Sequence, residues 1–91
     1  MKPKLTLYSR KDCCLCAAMK SVVDQVATAI PVEIDEIDID DSAELRVNLT
    51  DQIPLLCIDG RRAFKYRVTP KQLEKRLRQD SRRRYFRWLR K

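Results

Sequence analysis

Histidine is absent from this chain of 91 residues, and glycine occurs only once. No apolar run approaches the roughly 18–20 residues that are needed to cross a membrane. No apolar stretch of roughly 7–15 residues follows the basic start, so we expect no secretory signal and a cytoplasmic protein. The single glycine, four prolines and 44% hydrophobic residues exclude a fibrous or disordered chain and favour one globular domain.

Four cysteines carry most of the chemical information in the sequence. In a reducing cytoplasm, an even number of cysteines indicates catalysis or metal binding more than a structural disulfide framework. Three of the four lie in the segment Cys13-Cys14-Leu15-Cys16, which is not the spacing of a framework. The sequence therefore predicts local thiol chemistry at this segment.

The net charge of +7 is unevenly distributed along the chain. Residues 1–80 hold 14 Lys and Arg against 13 Asp and Glu, whereas residues 81–91 hold six basic residues and no acid. The basic character thus belongs to the C-terminal segment and not to the rest of the chain.

Hydrophobic periodicity and turn-forming residues divide the chain into seven elements. The predicted strands are 4–8, 32–39, 54–58 and 61–67, and the predicted helices are 13–30, 43–49 and one from Pro70 onward. Helical crossovers predict that the first three strands run parallel, and Asp59-Gly60 predicts an antiparallel hairpin for the last two. We therefore expect an α/β domain of order β-α-β-α-β-β-α, with a four-stranded mixed sheet and helices on its faces.

The side-chain pattern gives finer expectations. The alternation of strand 32–39 slips between Ile34 and Ile37, which predicts a bulge or a register shift. Thr69 and Gln72 predict a capping box at the start of the last helix. Apolar residues at three- and four-residue spacing predict the buried stripe of the first helix: Leu15, Met19, Val22, Val23, Val26 and Ile30.

The spacing of Cys13 and Cys16 suits reversible disulfide exchange. Residues three apart in a first helical turn share one face, with Cα atoms about 5–6 Å apart, which a disulfide tolerates. Unpaired N–H groups at the predicted helix start favour an anion at Cys13; Arg10 and Lys11 act in the same direction, and Asp12 opposes them. We therefore predict that Cys13 is the attacking thiolate and that Cys16 is the resolving thiol. Arg10 and Lys11 are candidate substrate contacts.

Three segments of the chain match one family pattern. They are Leu5-Thr6-Leu7-Tyr8-Ser9-Arg10 with Cys13-Cys14-Leu15-Cys16, then Ile37-Asp38-Ile39-Asp40, then Ile53-Pro54-Leu55-Leu56-Cys57-Ile58-Asp59-Gly60. Over about residues 3–79 the chain resembles the glutaredoxin-like branch of the thioredoxin-fold proteins. The resemblance implies a thioredoxin-like three-layer domain with Cys13 as nucleophile and Cys16 as resolving thiol. It also implies a cis-proline at Pro54 beside the active site, and backbone pairing of Ile53 with an extended substrate.

The chain departs from the glutaredoxin pattern at two places. Cys-Cys-Leu-Cys replaces Cys-Pro-Tyr-Cys, as in uncharacterised glutaredoxin-like proteins. Arg67-Val68-Thr69-Pro70 stands where glutaredoxins place the Gly-Gly and Asp that hold the glutamyl end of glutathione. Backbone N–H groups after Thr69 could still receive a carboxylate. Glutathione is therefore one candidate reductant and thioredoxin reductase another, and we expect no organic cofactor bound in the domain itself.

The cysteines also have alternative interpretations. Cys13 and Cys16 could be buried structural thiols. A Cys13–Cys14 bridge would strain the backbone, so Cys14 is interpreted as an exposed bystander or a modification site. Cys57 lies in an apolar run and is expected in the core. We expect no metal, because structural zinc takes four ligands; a subunit-bridging iron–sulfur cluster, which some glutaredoxins hold, is the alternative.

Residues 81–91 form a basic aromatic C-terminal tail beyond the glutaredoxin/thioredoxin-like domain, which we assign to residues 1–80. One interpretation is that the tail continues the last helix, with Tyr85 and Trp88 extending a stripe that begins at Leu73 and Leu77. The other is an arm that binds nucleic acid, an acidic protein or anionic lipid.

Two functions are therefore considered. The first is thiol–disulfide exchange by a monomer, with protein or small-molecule disulfides as substrates. The second is a thioredoxin-fold binding or adaptor module that is recruited through the tail and has no catalytic turnover.

Overall fold

The computed structural model describes the backbone of residues 2–89 and the side chains of residues 2–80. Its strands are β1 (Lys4–Ser9), β2 (Glu33–Asp38), β3 (Leu55–Ile58) and β4 (Arg61–Lys65), and its α-helices are α1 (Cys14–Ala27), α2 (Ala43–Leu49) and α3 (Pro70–Leu89). A 3₁₀ turn, Ile39–Asp41, connects β2 to α2. The predicted order of elements is confirmed.

The four strands form one mixed sheet in the order β2-β1-β3-β4. Strands β1 and β2 are parallel, as α1 between them requires. Strands β3 and β4 are an antiparallel hairpin, and its turn residues Asp59 and Gly60 have φ angles of 51° and 82°. This left-handed pair is the geometry of a tight two-residue hairpin, and it explains the only glycine of the chain.

The predicted parallel direction of the third strand is wrong. Strand β3 runs antiparallel to β1, with Leu5 opposite Ile58 and Tyr8 opposite Leu55. The physical reason is the length of the connection, since α2 has seven residues and spans only about 10 Å. Strand β3 therefore begins at the end of the sheet where β2 stops.

The predicted irregularity of the second strand is also wrong. Strand β2 pairs with β1 without interruption, from Lys4 opposite Glu33 to Ser9 opposite Asp38. The first four residues of β2 are exposed at the edge of the sheet, so its apolar residues need not alternate between a buried and a solvated face. Within the described residues, the irregular pairing lies in the hairpin instead, between Leu56 and Cys57 of β3.

The core has two parts, one on each face of the sheet. Leu56 and Ile58 of β3 pack with α1 and α3, whereas Leu55 and Cys57 pack on the other face beside Leu49 of α2. This arrangement gives three layers, confirms that β3 is covered on both faces, and confirms the expected core position of Cys57.

Helix α1 buries a slightly different stripe from the predicted one. Leu15 is 39% exposed, and Cys16 takes the buried position at the start of the stripe. The other buried residues of α1 are Met19, Val23 and Val26. Cys16 shares the face of Met19 and Val23, which lie three and seven residues further along the helix, so it completes the buried stripe.

Helix α3 begins with the predicted capping box. The Thr69 N–H donates to Gln72 Oε1 at 3.0 Å, and the Gln72 N–H donates to Thr69 Oγ1 at 3.1 Å. The helical backbone continues to Leu89, as one interpretation of the tail expects. The predicted positions of the Tyr85 and Trp88 side chains lie outside the described side chains. None of the helices in residues 2–89 is long and apolar enough to cross a membrane.

Candidate active site

Cys13 occupies the N-cap of α1. The chain leaves β1 at Ser9 and turns at Asp12, whose φ of 58° is in the left-handed region that aspartate tolerates better than most residues. Cys13 itself is extended, and its Sγ accepts a hydrogen bond from the Cys16 N–H at 3.2 Å. The sulfur therefore pairs with an N–H that has no carbonyl partner within the helix, at a helix start where negative charge is stabilised.

Cys16 lies one turn inside α1 in a different environment. Its side chain is 4% exposed. Burial, followed by the hydrogen bond with Cys13, raises the pKa of the Cys16 thiol to about 11, although the backbone and charge of Arg10 act in the opposite direction. At neutral pH Cys16 is therefore a protonated thiol directly below the half-buried Cys13.

The remaining cysteines have separate surroundings. Cys14 is exposed on the first turn of α1, as expected, and its interpretation as a bystander or a modification site stays a prediction. Cys57 is buried on the other face of the sheet, and burial raises the pKa of its thiol. Among the described side chains, those of residues 2–80, no three Cys, Asp or Glu are arranged to hold a metal ion.

A surface groove of about 1020 Å³ opens beside the thiol pair. Cys13, Cys16, Arg10 and Lys11 all line it, so the structure brings these four sequence-predicted site residues together. One wall is the outer face of α1, and the other is the end of β2 with the 3₁₀ turn. We call this feature the thiol groove.

An ion pair orders the second wall of the thiol groove. Arg10 donates two hydrogen bonds to the Asp40 carboxylate, at 3.0 and 3.1 Å, and this forked geometry fixes both side chains. Asp38 Oδ1 accepts from the Asp40 N–H at 2.9 Å and caps the turn. Arg10 therefore holds the 3₁₀ turn against the loop before Cys13, a contact that the sequence pattern did not reveal.

Ile53 and Pro54 do not line the thiol groove. The Ile53–Pro54 peptide bond is cis, as the resemblance implies. Because Tyr8 lies opposite Leu55, the start of β3 and the end of β1 meet at the same end of the sheet. Pro54 therefore lies at the end of the sheet from which the chain leads to Cys13, and its side chain is fully buried there.

Tyr66 was missed by the sequence analysis and holds the loop that contains Pro54. Its N–H donates to the Pro54 carbonyl oxygen at 2.8 Å, and its hydroxyl donates to the Asp51 carbonyl oxygen at 2.6 Å. Its φ of 71° is rare for an aromatic residue. Non-glycine residues at positive φ leave no compositional signal, so periodicity could not have identified this position.

The start of α3 offers little to an anionic ligand. The sequence left open that N–H groups after Thr69 receive a carboxylate. In the structure the Gln72 N–H is used by Thr69, and the Leu73 N–H bonds to the Thr69 carbonyl. Pro70 has no N–H. Within the described part of the chain, the Lys71 N–H is the one backbone donor of this turn that has no hydrogen-bond acceptor.

Comparison with known proteins identifies the family. The model of the family called Glutaredoxin-like domain (DUF836) matches residues 4–78. No curated protein matches the chain.

Several solved structures are similar to the chain. A structural genomics target, protein XcR50 from X. campestris, is 27% identical with a TM-score of 0.69, and the match covers 80% of this chain and 93% of that chain. Protein Ne2328 from Nitrosomonas europaea is 23% identical with a TM-score of 0.72, over 85% of this chain and 93% of that one. Mitochondrial thioredoxin 3 from Saccharomyces cerevisiae, in its oxidized form, is 20% identical with a TM-score of 0.62. This match covers 86% of this chain and 78% of that chain.

The family match and the shared fold support a thiol-oxidoreductase-like role at the level of the family. The matched segment contains the whole sheet, α1, α2 and the thiol pair. The chain therefore belongs to the glutaredoxin-like domain family (DUF836) and has a thioredoxin-like fold.

Proposed function

We propose that the protein is a thiol–disulfide oxidoreductase in which Cys13 attacks and Cys16 resolves. The Cys13 thiolate attacks one sulfur of a substrate disulfide, forms a mixed disulfide and releases the other half as a thiolate. Cys16 then attacks the Cys13 sulfur, which releases the second half of the substrate. The substrate disulfide has then gained two electrons, and the two cysteines have lost two electrons and form the Cys13–Cys16 disulfide.

The proton of Cys16 has a destination in this scheme. Because the pKa of Cys16 is raised to about 11, its thiol must lose a proton before it can attack. The substrate thiolate released in the first step accepts that proton. Resolution therefore follows formation of the mixed disulfide, and Cys16 does not compete with Cys13 for the incoming substrate.

The observation that carries this proposal is the inequality of the two sulfurs. Cys13 Sγ is half-buried at the groove and accepts the Cys16 N–H at 3.2 Å, whereas Cys16 is buried. Reactive cysteines are found at helix N-termini beside accessible surfaces, and buried thiols are inert until a partner reaches them. The geometry therefore suits a dithiol mechanism with fixed roles.

Replacement of each cysteine tests the proposal directly. Reduction of bis(2-hydroxyethyl) disulfide above the uncatalysed rate, with dithiothreitol as electron source, should be lost in Cys13→Ser, because no other cysteine occupies the N-cap of α1. When pre-reduced Cys16→Ser reacts with the same disulfide in the absence of dithiothreitol, a Cys13 mixed disulfide should accumulate, and mass spectrometry of the intact protein should detect it. The matched control is Cys14→Ser, one residue away on the exposed side of α1, which should retain at least half of the wild-type rate.

Equal turnover by wild type and Cys13→Ser would exclude the enzyme and leave the adaptor function. The physiological reductant is proposed as either glutathione or a protein reductase. To distinguish the two candidate reductants, dithiothreitol is replaced in the same assay by one of two systems. The first is glutathione together with glutathione reductase, and the second is thioredoxin reductase.

A further inference from the structure

The thiol groove is acidic, although the chain carries a net charge of +7. Five carboxylates and three cationic side chains line it. The carboxylates are Asp12, Asp24, Glu36, Asp38 and Asp41. The surface that a substrate must approach to reach Cys13 therefore has the opposite sign from the protein as a whole.

Two of the three cations are already paired within the protein. Arg10 forms the forked ion pair with Asp40, and Lys20 Nζ lies 3.3 Å from Asp24 Oδ2. Within the described side chains, Lys11 is the groove cation without an ion pair. The internal pairs therefore leave the groove with an excess of negative charge.

The unpaired carboxylates concentrate on one wall. Glu36 lies on β2 and Asp41 ends the 3₁₀ turn, and neither carboxylate has an ion pair or a hydrogen bond within residues 2–80. Asp38 stands between them along the chain and uses one oxygen for the Asp40 N–H. Three carboxylates thus line the wall opposite α1, within the groove that also contains Cys13.

The size of the thiol groove also limits its occupant. Small-molecule sites usually enclose about 300–1,000 Å³ and bury most of the ligand. The thiol groove has about 1020 Å³ and is open along the surface. Because the groove does not enclose its occupant, it suits a polypeptide segment that lies along the surface better than a small disulfide.

We infer that the preferred substrate is a disulfide carried on a cationic polypeptide segment, whose Lys or Arg side chains lie against Glu36, Asp38 and Asp41. This inference rests on the proposed function and names its substrate class. Glutathione and acidic peptides bear net negative charge and are disfavoured by the same wall. Opposite charge at a rim mainly raises the rate of productive encounter, so the selectivity should depend on salt.

Three peptides that differ only in charge test the inference. Each carries one central cysteine as a mixed disulfide with 2-thiopyridine, flanked by lysines, serines or glutamates. Pre-reduced full-length protein attacks the peptide sulfur, and the absorbance of released 2-thiopyridine gives the rate. At low salt the lysine peptide should react about 3- to 10-fold faster than the glutamate peptide, and the ratio should fall toward one as salt is raised.

A pair of double variants assigns the selectivity to the groove. Glu36→Gln with Asp41→Asn should bring the ratio close to one, and Asp38 is kept because its carboxylate caps the 3₁₀ turn. Glu33→Gln with Glu44→Gln changes the charge equally, on β2 and on α2, at positions that do not line the groove. This control should keep the wild-type ratio.

The outcomes separate the two proposals. Release that is unchanged in Cys13→Ser overturns the proposed function. Release that needs Cys13 but is equally fast for all three peptides overturns the cationic substrate and leaves the oxidoreductase. A preference for lysine that survives the groove variant also overturns the inference, because the preference then arises elsewhere.

Discussion

Cys13 and Cys16 lie one helical turn apart, yet their sulfurs differ in solvent exposure and in hydrogen bonding. Cys13 Sγ accepts an N–H at the helix start, whereas Cys16 is buried beneath it. Burial disfavours the charged form of a thiol, and an N–H donor favours it. The division of roles between two identical side chains thus depends on where α1 begins.

The buried thiol of Cys16 makes stability depend on pH. Its pKa is 9.0 in the unfolded reference and about 11 in the folded protein, so the folded state keeps a proton that the unfolded chain has lost. The stabilisation is therefore complete below pH 9 and disappears as the pH rises to about 11. In urea unfolding of the reduced protein, the midpoint should fall over this range, and the fall should be smaller in Cys16→Ala.

Cys14→Ala is the control for that measurement, because Cys14 is exposed on the same turn of α1. It should show the wild-type decrease between pH 9 and pH 11. An identical decrease in Cys16→Ala would mean that the thiol of Cys16 is not responsible for it.

The order of elements could be predicted because turn-forming, helix-ending or helix-capping residues mark the boundaries between elements. Pro31 follows α1, Asp59-Gly60 makes the hairpin, and Thr69 caps α3. The direction of β3 could not be predicted, since it depends on where a seven-residue helix packs and not on its own sequence.

The candidate site could be predicted only in part for the same reason. Spacing and helix position identified Cys13 and Cys16, and the groove does bring Arg10 and Lys11 to them. The acidic wall was invisible, because Glu36 and Asp41 are distant in sequence from Cys13 and meet it only through the parallel pairing of β1 and β2. Tyr66 was missed because its role lies in backbone geometry.

The loop before β3 is secured by a side chain from the end of β4. Tyr66→Phe removes the hydroxyl that donates to the Asp51 carbonyl and keeps the backbone bond to Pro54. A hydrogen bond of this kind contributes about 0.5–1.5 kcal/mol, and Tyr66 is 43% exposed, so we expect a loss at the lower end of that range. Urea unfolding at neutral pH measures it.

Tyr8→Phe provides the matched comparison for this loop. Tyr8 packs beside the smaller core cluster, and its hydroxyl makes no hydrogen bond within residues 2–80. Its removal should change the free energy of unfolding by less than about 0.5 kcal/mol. If the two variants are equally stable, the hydroxyl of Tyr66 does not secure the loop.

At the scale of the whole molecule, acidic and basic side chains are concentrated in different places. The thiol groove has an excess of carboxylates, while six of the twenty basic residues lie in the last eleven positions. A cationic segment and an acidic groove in one chain favour two different partners. We propose that the tail contacts a polyanion independently of the thiol chemistry.

Truncation after Asp80 tests the role of the tail. It lowers the net charge from +7 to +1 and keeps Leu73 and Leu77, the residues of α3 that pack in the core. The full chain should bind a DNA duplex or anionic vesicles in a salt-dependent manner, and the truncated chain should lose that binding. The Cys13-dependent rate on bis(2-hydroxyethyl) disulfide should remain within about 2-fold, a change of less than about 0.5 kcal/mol. Binding that persists after truncation would place the polyanion site elsewhere.

The cap of α1 and the nucleophile are the same atom, Cys13 Sγ. As a thiolate this sulfur holds the Cys16 N–H strongly, and as one half of a disulfide it is a much weaker acceptor. In the Cys13–Cys16 disulfide this hydrogen bond gives way to a covalent bond between the same two residues. The start of α1 is therefore held by a hydrogen bond in the reduced protein and by a disulfide in the oxidised protein, so a partner that binds this turn would meet a different surface in each redox state.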